Sequence, residues 1–381
     1  MRIERLQACS CRAPVKEPVS TSFGIMQDRP AVFLRVEDED GCYGWGEIFA
    51  NWPAAGAEHR VSLLHHDISP LVLGQDIMHP AKFFAGISEK VHVRALQCGE
   101  SGPFNQVIAG LDIALWDLKA RRLGQPLRYL LNAGSADAVR AYASGMQISS
   151  AQELVAQARK DGYRAFKVKV GFDAVGDVFE LRALSDGLRP AERLFCDANQ
   201  AFDVAGACQF LNGVRGARLD WLEEPLAADA PQDQWEQVAR YSNVPLAAGE
   251  NISGLRDFEQ VIRHGSLRFI QPDVAKWGGV SGCLQVARVA LKAGRIYCPH
   301  FLGGGIGLAA SAEVLAAAGG PGLLEVDFNP NLLRSAFEAG EVTGEGDWVC
   351  SKRPGLGIDA LPEALQPLIT RKIDLTCHCR K

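Results

Sequence analysis

The chain lacks any surplus of positive charge: 40 lysines and arginines stand against 45 aspartates and glutamates, a net charge of −5. That balance recommends neither nucleic acid nor an anionic membrane as a partner. No apolar run approaches the length of a membrane span, and the opening MRIERLQACSCRAPVKEP holds no leader-like apolar stretch. The expectation is a soluble, cytoplasmic protein. Cysteine pairs at C-x2-C spacing are missing too, although 11 cysteines are present. The close pairs Cys9/Cys11 and Cys377/Cys379 do not have zinc-site spacing, and Cys196 and Cys298 sit in apolar runs, as reduced packing thiols do. A G-x-G-x-x-G after the first strand of the series described next is also absent, which disfavours a dinucleotide-binding sheet.

What is there is an ordinary globular composition, 47% hydrophobic and 22% charged over 381 residues, enough for two domains. From about residue 138 onward, β-rich runs alternate with stretches of helical periodicity. The runs cover 139–144, 163–170, 193–199, 218–225, 244–250, 267–273, 295–300 and 322–327. Such alternation marks parallel βαβ units, and eight of them predict an α/β barrel rather than an open sheet.

Seven of the eight runs carry an ionisable residue at or near the C-terminal end: Lys169, Asp197, Glu223, Glu250, Asp273, His300 and Glu325. Barrel strands converge at that end on one mouth, so these side chains are expected to share a site. Lys167 and Lys169 lie two apart and point the same way, toward solvent or toward a common interior. Carboxylates in the same place favour the interior. Asp197, Glu223 and Glu250 form an all-oxygen set that would repel itself without a cation, and hard oxygen ligands select Mg2+, or Mn2+ in its stead. Glu224 is the alternative to Glu223. The expectation is that one strand end aims only one of two adjacent side chains inward, and Glu223 is taken.

The segments KVKVG, CDANQAF, WLEEPL, AAGEN, QPDVAKWGGVSG and CPHFLGGGIG, with AGLDIALWDLKARRLGQPL and GWGE upstream, resemble the enolase superfamily. The resemblance is to its mandelate racemase/muconate lactonizing enzyme family and, within that, the mandelate racemase-like subgroup. It implies an N-terminal α+β capping domain (1–130), a modified (β/α)7β TIM-type barrel (131–350) and a C-terminal segment returning to the cap (351–381). It also implies Asp197, Glu223 and Glu250 as metal ligands, Lys169 as base with Lys167 as partner, and His300 as opposing acid/base oriented by Asp273. Asn199 would lie beside metal and substrate, and Glu325 near the substrate carboxylate. Lys276 reads as structural. A homo-oligomer is implied by the family alone.

The chemistry implied is removal of the proton α to a carboxylate, giving a metal-stabilised enediolate. Lys167 and the metal are expected to lower the pKa of Lys169, and His300 to titrate near neutrality. A sugar-acid dehydratase leads. The alternatives are a racemase or epimerase, a lactone cycloisomerase, or a metal-binding relative without activity; a metal-dependent aldolase is disfavoured by the cap signature. Residues 19–26 and 48–53 are expected to form the lid, with Phe23, Phe49 and Trp52 as its aromatics and Trp52 as a substrate contact.

Overall fold

The computed structural model describes residues 1–21 and 24–377. Three long antiparallel strands, β1 (Ile3–Thr21), β2 (Gly24–Asp38) and β3 (Tyr43–Ile48), open the chain. The helices α1 (Gly56–Leu63), α2 (Pro80–Gln97) and α3 (Ser101–Arg122) cover one face of that sheet, and α4 (Leu127–Leu131) leads out of it.

Seven strand–helix units follow: β4 (Ala138–Gln147) with α5 (Ala151–Lys160), β5 (Ala165–Lys169) with α6 (Gly176–Asp186), and β6 (Arg193–Asp197) with α7 (Val204–Gly213). The next are β7 (Trp221–Glu223) with α8 (Gln232–Tyr241) and β8 (Leu246–Ala248) with α9 (Leu255–His264). Last come β9 (Phe269–Ile270) with α10 (Gly279–Lys292) and β10 (Ile296–Tyr297) with α11 (Gly305–Ala318). The eighth strand, β11 (Leu324–Asp327), pairs in parallel with β4 and is followed only by the four-residue α12 (Leu332–Ser335). This is a (β/α)7β barrel. Across the seam between β10 and β11, the backbone N–H of Leu323 meets Cys298 Sγ at 3.3 Å. The hairpin β12 (Gly340–Val342) and β13 (Asp347–Cys350) extends β4, and β14 (Ile369–Thr376) returns to pair with β1 in the cap sheet.

The barrel interior is built in layers with period two. Its base holds Tyr142, Ala165, Phe195, Trp221, Ala247 and Phe269 from six strands, with Cys298 just after β10 and Leu323 just before β11. Phe195 and Trp221 stack there with centroids 3.6 Å apart. Two residues further along the same strands stand Ser144, Lys167, Asp197, Glu223, Gly249, Gln271, His300 and Glu325. An apolar plug thus supports a polar layer directly above it. Gly249 is required in that layer: a Cβ there would lie 2.5 Å from the Gln271 backbone, at φ +154°.

The cap is fastened over the mouth by buried polar contacts. Glu47 at the end of β3 accepts the N–H groups of Gly304 and Gly307, at the start of α11, at 2.5 and 2.8 Å. Asp112 of α3 accepts Ser281 N–H and Oγ–H from α10 at 2.8 and 2.7 Å. The Phe49 N–H donates to the Ala275 carbonyl at 3.3 Å. Among the described residues no helix is long and apolar enough to cross a membrane.

Candidate active site

Lys167 and Lys169 face the interior of the barrel, 1% and 7% exposed. A lysine is buried only with partners, and both have them. Lys167 Nζ lies 2.7 Å from Glu223 and 2.7 Å from Glu325, and Lys169 Nζ lies 2.6 Å from Asp197. On the other side of the mouth, His300 is bracketed by two acids. Its Nδ1 is 2.7 Å from Asp273 Oδ2 and its Nε2 is 2.7 Å from Glu250 Oε2. Asp273 is itself fixed, because its Oδ1 accepts the N–H groups of Ala275 and Lys276 at 2.8 and 3.1 Å. Glu325 accepts the Phe301 N–H at 3.0 Å, next to His300. Asn199 folds back on Asp197, its backbone N–H donating to Oδ1 at 2.7 Å.

One expectation needs correction. Both glutamates of WLEEP are buried, Glu223 at 2% and Glu224 at 1% exposure, so the strand end does not choose between them. The backbone turns left-handed at Glu224 (φ +38°), which swings its side chain inward beside Asn251, whose Nδ2 donates to it at 2.9 Å. Glu223 shares the inward face of Trp221 and accepts Gln271 Nε2 at 2.7 Å. The protonation states that follow reflect the protein's own charges alone. Burial works to lower the Lys169 pKa and Lys167 adds to that, as expected, but the facing carboxylates, Asp197 foremost, outweigh both and hold the ammonium above its usual range. Burial likewise opposes the charge on His300, and Glu250, Glu325 and Asp273 together hold its pKa well above the ordinary imidazole value. Lys276, expected to be structural, lines the cavity, donates to Asn251 Oδ1 at 2.8 Å and sits 5.1 Å above the Phe49 ring.

The side chains at the mouth open into a cavity of about 360 Å³. Lys169, His300, Asn199, Glu250 and Lys276 form its barrel side, and Met26, Phe49, Asn51 and Trp52 its cap side. Trp52 thus stands where the lid was expected, while Phe23 lies outside the described residues. Sequence reasoning missed the cavity's Arg29, Asp327 and Asn329. The signal for Asp327 was available, since it lies two residues beyond Glu325 on the same strand face.

The donor set can be tested against a divalent ion. Asp197, Glu223, Glu224, Glu250, Asp273 and Glu325 are gathered with Lys167, Lys169, Lys276 and His300, so acids outnumber bases even with every base charged. Burial answers that excess by pushing Glu223 up to about 7 and Glu224 well above its ordinary value. Among the described residues no three such groups yet converge as a ligand cluster, because Asp197 turns to Lys169 and Glu223 to Lys167. An oxygen-only set with uncompensated negative charge fits a hard divalent cation.

Fold and site together define a capped β/α-barrel enzyme working on a small molecule at the C-terminal mouth of its strands. The description Enolase C-terminal domain-like matches residues 150–364, and Mandelate racemase / muconate lactonizing enzyme, N-terminal domain matches residues 5–132. The chain belongs to the mandelate racemase/muconate lactonizing enzyme family of the enolase superfamily. It is similar to a solved mandelate racemase/muconate lactonizing enzyme from Bordetella bronchiseptica RB50, with 46% identity, TM-score 0.91, and coverage of 97% of this chain and 99% of that one. It resembles L-talarate dehydratase from Polaromonas sp. JS666, solved with Mg and L-glucarate, at 27% identity, TM-score 0.84, and coverage of 98% and 99%. Against 3,6-anhydro-alpha-L-galactonate cycloisomerase from Streptomyces coelicolor it is 32% identical over 76% of this chain and 79% of the relative. Sugar-acid dehydratases, cycloisomerases and a racemase all occur among its relatives.

Proposed function

We propose that the protein removes the proton α to the carboxylate of an acid sugar and expels the β-hydroxyl, as a Mg2+-dependent dehydratase. The observation that carries this reading is the character of the cavity wall. Asn51, Gln106, Gln147, Gln200, Asn251 and Asn329 line it beside Asn199. A carboxamide both donates and accepts, which suits a chain of hydroxyl groups, each of which does the same. Below that wall lie an amine on β5 and an imidazole just after β10.

In this reading Asp197, Glu223 and Glu250 would hold the ion, which would supply positive charge favouring the negative charge that builds up on the substrate carboxylate. Lys167 and Glu325 border the place of that carboxylate. Lys169, once its ammonium has given up a proton to solvent, takes the α-proton at Nζ. His300, oriented by Asp273, gives a proton to the departing hydroxyl oxygen as the β C–O bond breaks, releasing water. The resulting enol becomes the 2-keto-3-deoxy acid by taking up a proton on carbon. Trp52 covers the substrate from the cap. The free thiols of the described residues fit a cytoplasmic setting.

The same pair on two sides of one carbon would also serve racemisation or cycloisomerisation. A library of acid sugars, hydroxy acids and lactones assayed with Mg2+ decides. Keto-acid formation from at least one acid sugar is expected. Epimer or lactone-derived product without keto acid would replace dehydration by one of the other outcomes.

A further inference from the structure

Glu223 ends β7 and Gln271 lies just past β9, with β8 between them in the barrel wall. In the polar layer the intervening strand contributes Gly249, which has no side chain to separate the two. Gln271 Nε2 reaches across it and donates to Glu223 Oε2 at 2.7 Å. Trp221 Nε1 donates to the same oxygen at 3.2 Å, from the base of the barrel. The other oxygen, Oε1, meets the Lys167 ammonium at 2.7 Å.

The two oxygens of Glu223 are therefore held differently. Neutral donors from the barrel's own wall and base fix Oε2, and positive charge faces Oε1. Glu224 has no such division, because Asn251 Nδ2 spans both of its oxygens at 2.9 and 3.1 Å. Gln271 is 1% exposed, and its Oε1 has no hydrogen-bond partner among the described residues. An unpaired buried amide oxygen is costly. The fold keeps that cost while aiming Nε2 at Glu223, so the carboxylate is what sets the direction of this amide.

We propose that Gln271 is a positioning residue for the divalent ion: by fixing one oxygen of Glu223 against the barrel wall, it holds the carboxylate ready as a ligand. Partners of this kind orient the groups that bind a metal without touching it. The inference rests on the assignment of Glu223 as a ligand in the reading above. Gln271 does not line the cavity, so its effect is expected in the affinity for the ion itself.

Titration calorimetry of chelator-treated protein with Mn2+ alone tests this on the wild type, Gln271→Met, Glu223→Gln and the double variant. Gln271→Met keeps the length of the side chain and removes the donor. It is expected to raise the Kd for Mn2+ by about 10–100-fold, the range for a lost outer-sphere partner. Because Gln271 acts through Glu223, the same substitution in the Glu223→Gln background should change Kd by less than about twofold, whereas a general packing role would act in both backgrounds. Gln271→Asn keeps the amide but falls one methylene short of Glu223, and it should also weaken binding by at least about tenfold. It serves as the second variant should Gln271→Met not fold. Wild-type affinity in a folded Gln271 variant, or equal losses in the two backgrounds, overturns the inference and leaves Glu223 as a ligand. Failure of both variants to fold assigns Gln271 to barrel packing and overturns it as well. Wild-type affinity in Glu223→Gln removes the ligand assignment on which the inference rests.

Discussion

Glu223 and Glu224 are neighbours in sequence and both are buried, yet their surroundings differ. Glu223 stands in the inward layer above Trp221 and meets Lys167, while Glu224 lies past the strand end and meets Asn251. If Glu223 is the ion ligand, Glu223→Gln should weaken Mn2+ binding by at least about 100-fold, more than the loss of an outer-sphere partner costs. Glu224→Gln should cost less than about tenfold. Titration calorimetry with Mn2+ alone measures both, and equal losses would move the ligand assignment to the pair. The choice was not legible in EEP, because it depends on a left-handed backbone at Glu224 that an ordinary side chain rarely adopts. Protonation was equally hidden. The lysines of KVKVG announce a polar interior, but only the structure places Asp197 at 2.6 Å from Lys169 and two acids around His300.

At the scale of elements, β3 and α11 are joined through one carboxylate. Burial raises the Glu47 pKa to about 7, against the Gly307 and Gly304 N–H groups, which favour the charged form. A folded-state pKa above the unfolded value of about 4.3 means the folded chain binds the proton more tightly. That contribution is fully present below about pH 4.3 and is lost as pH rises through about 7. Relative to Glu47→Gln, the wild-type protein should therefore lose stability across this window, by on the order of 3 kcal/mol in all. Urea unfolding of both proteins from pH 5 to 8 checks it, and parallel profiles would refute it. The eight barrel strands were legible as elements, since each run alternates or clusters apolar residues between helical stretches. Their extents were not. β9 is only the two residues Phe269 and Ile270, and the inward Gln271 already lies past its end. Arg29 and Lys276 escaped notice for another reason: each acts across the cap–barrel boundary, and no local pattern reports which strand of the cap faces which loop of the barrel.

For the whole molecule, the excess of buried acids makes folding and metal binding one equilibrium. An ion that binds only the folded chain adds RT ln(1 + [L]/Kd), about 2.7 kcal/mol at 100 times Kd. Adding Mg2+ or Mn2+ to chelator-treated protein should raise Tm by several degrees, and Ca2+-free EDTA should reverse it. A Tm indifferent to both would remove the divalent ion from the account. The central claim, however, is that Lys169 and His300 flank one α-carbon and do different work there. Proton NMR in deuterated buffer, with Mg2+ and the true substrate, tests this most directly. Lys169→Ala is expected to lose both α-proton exchange and product, and His300→Asn to retain exchange while losing dehydration, each loss on the order of 10²–10⁴-fold. Near-wild-type turnover in both variants would contradict the account.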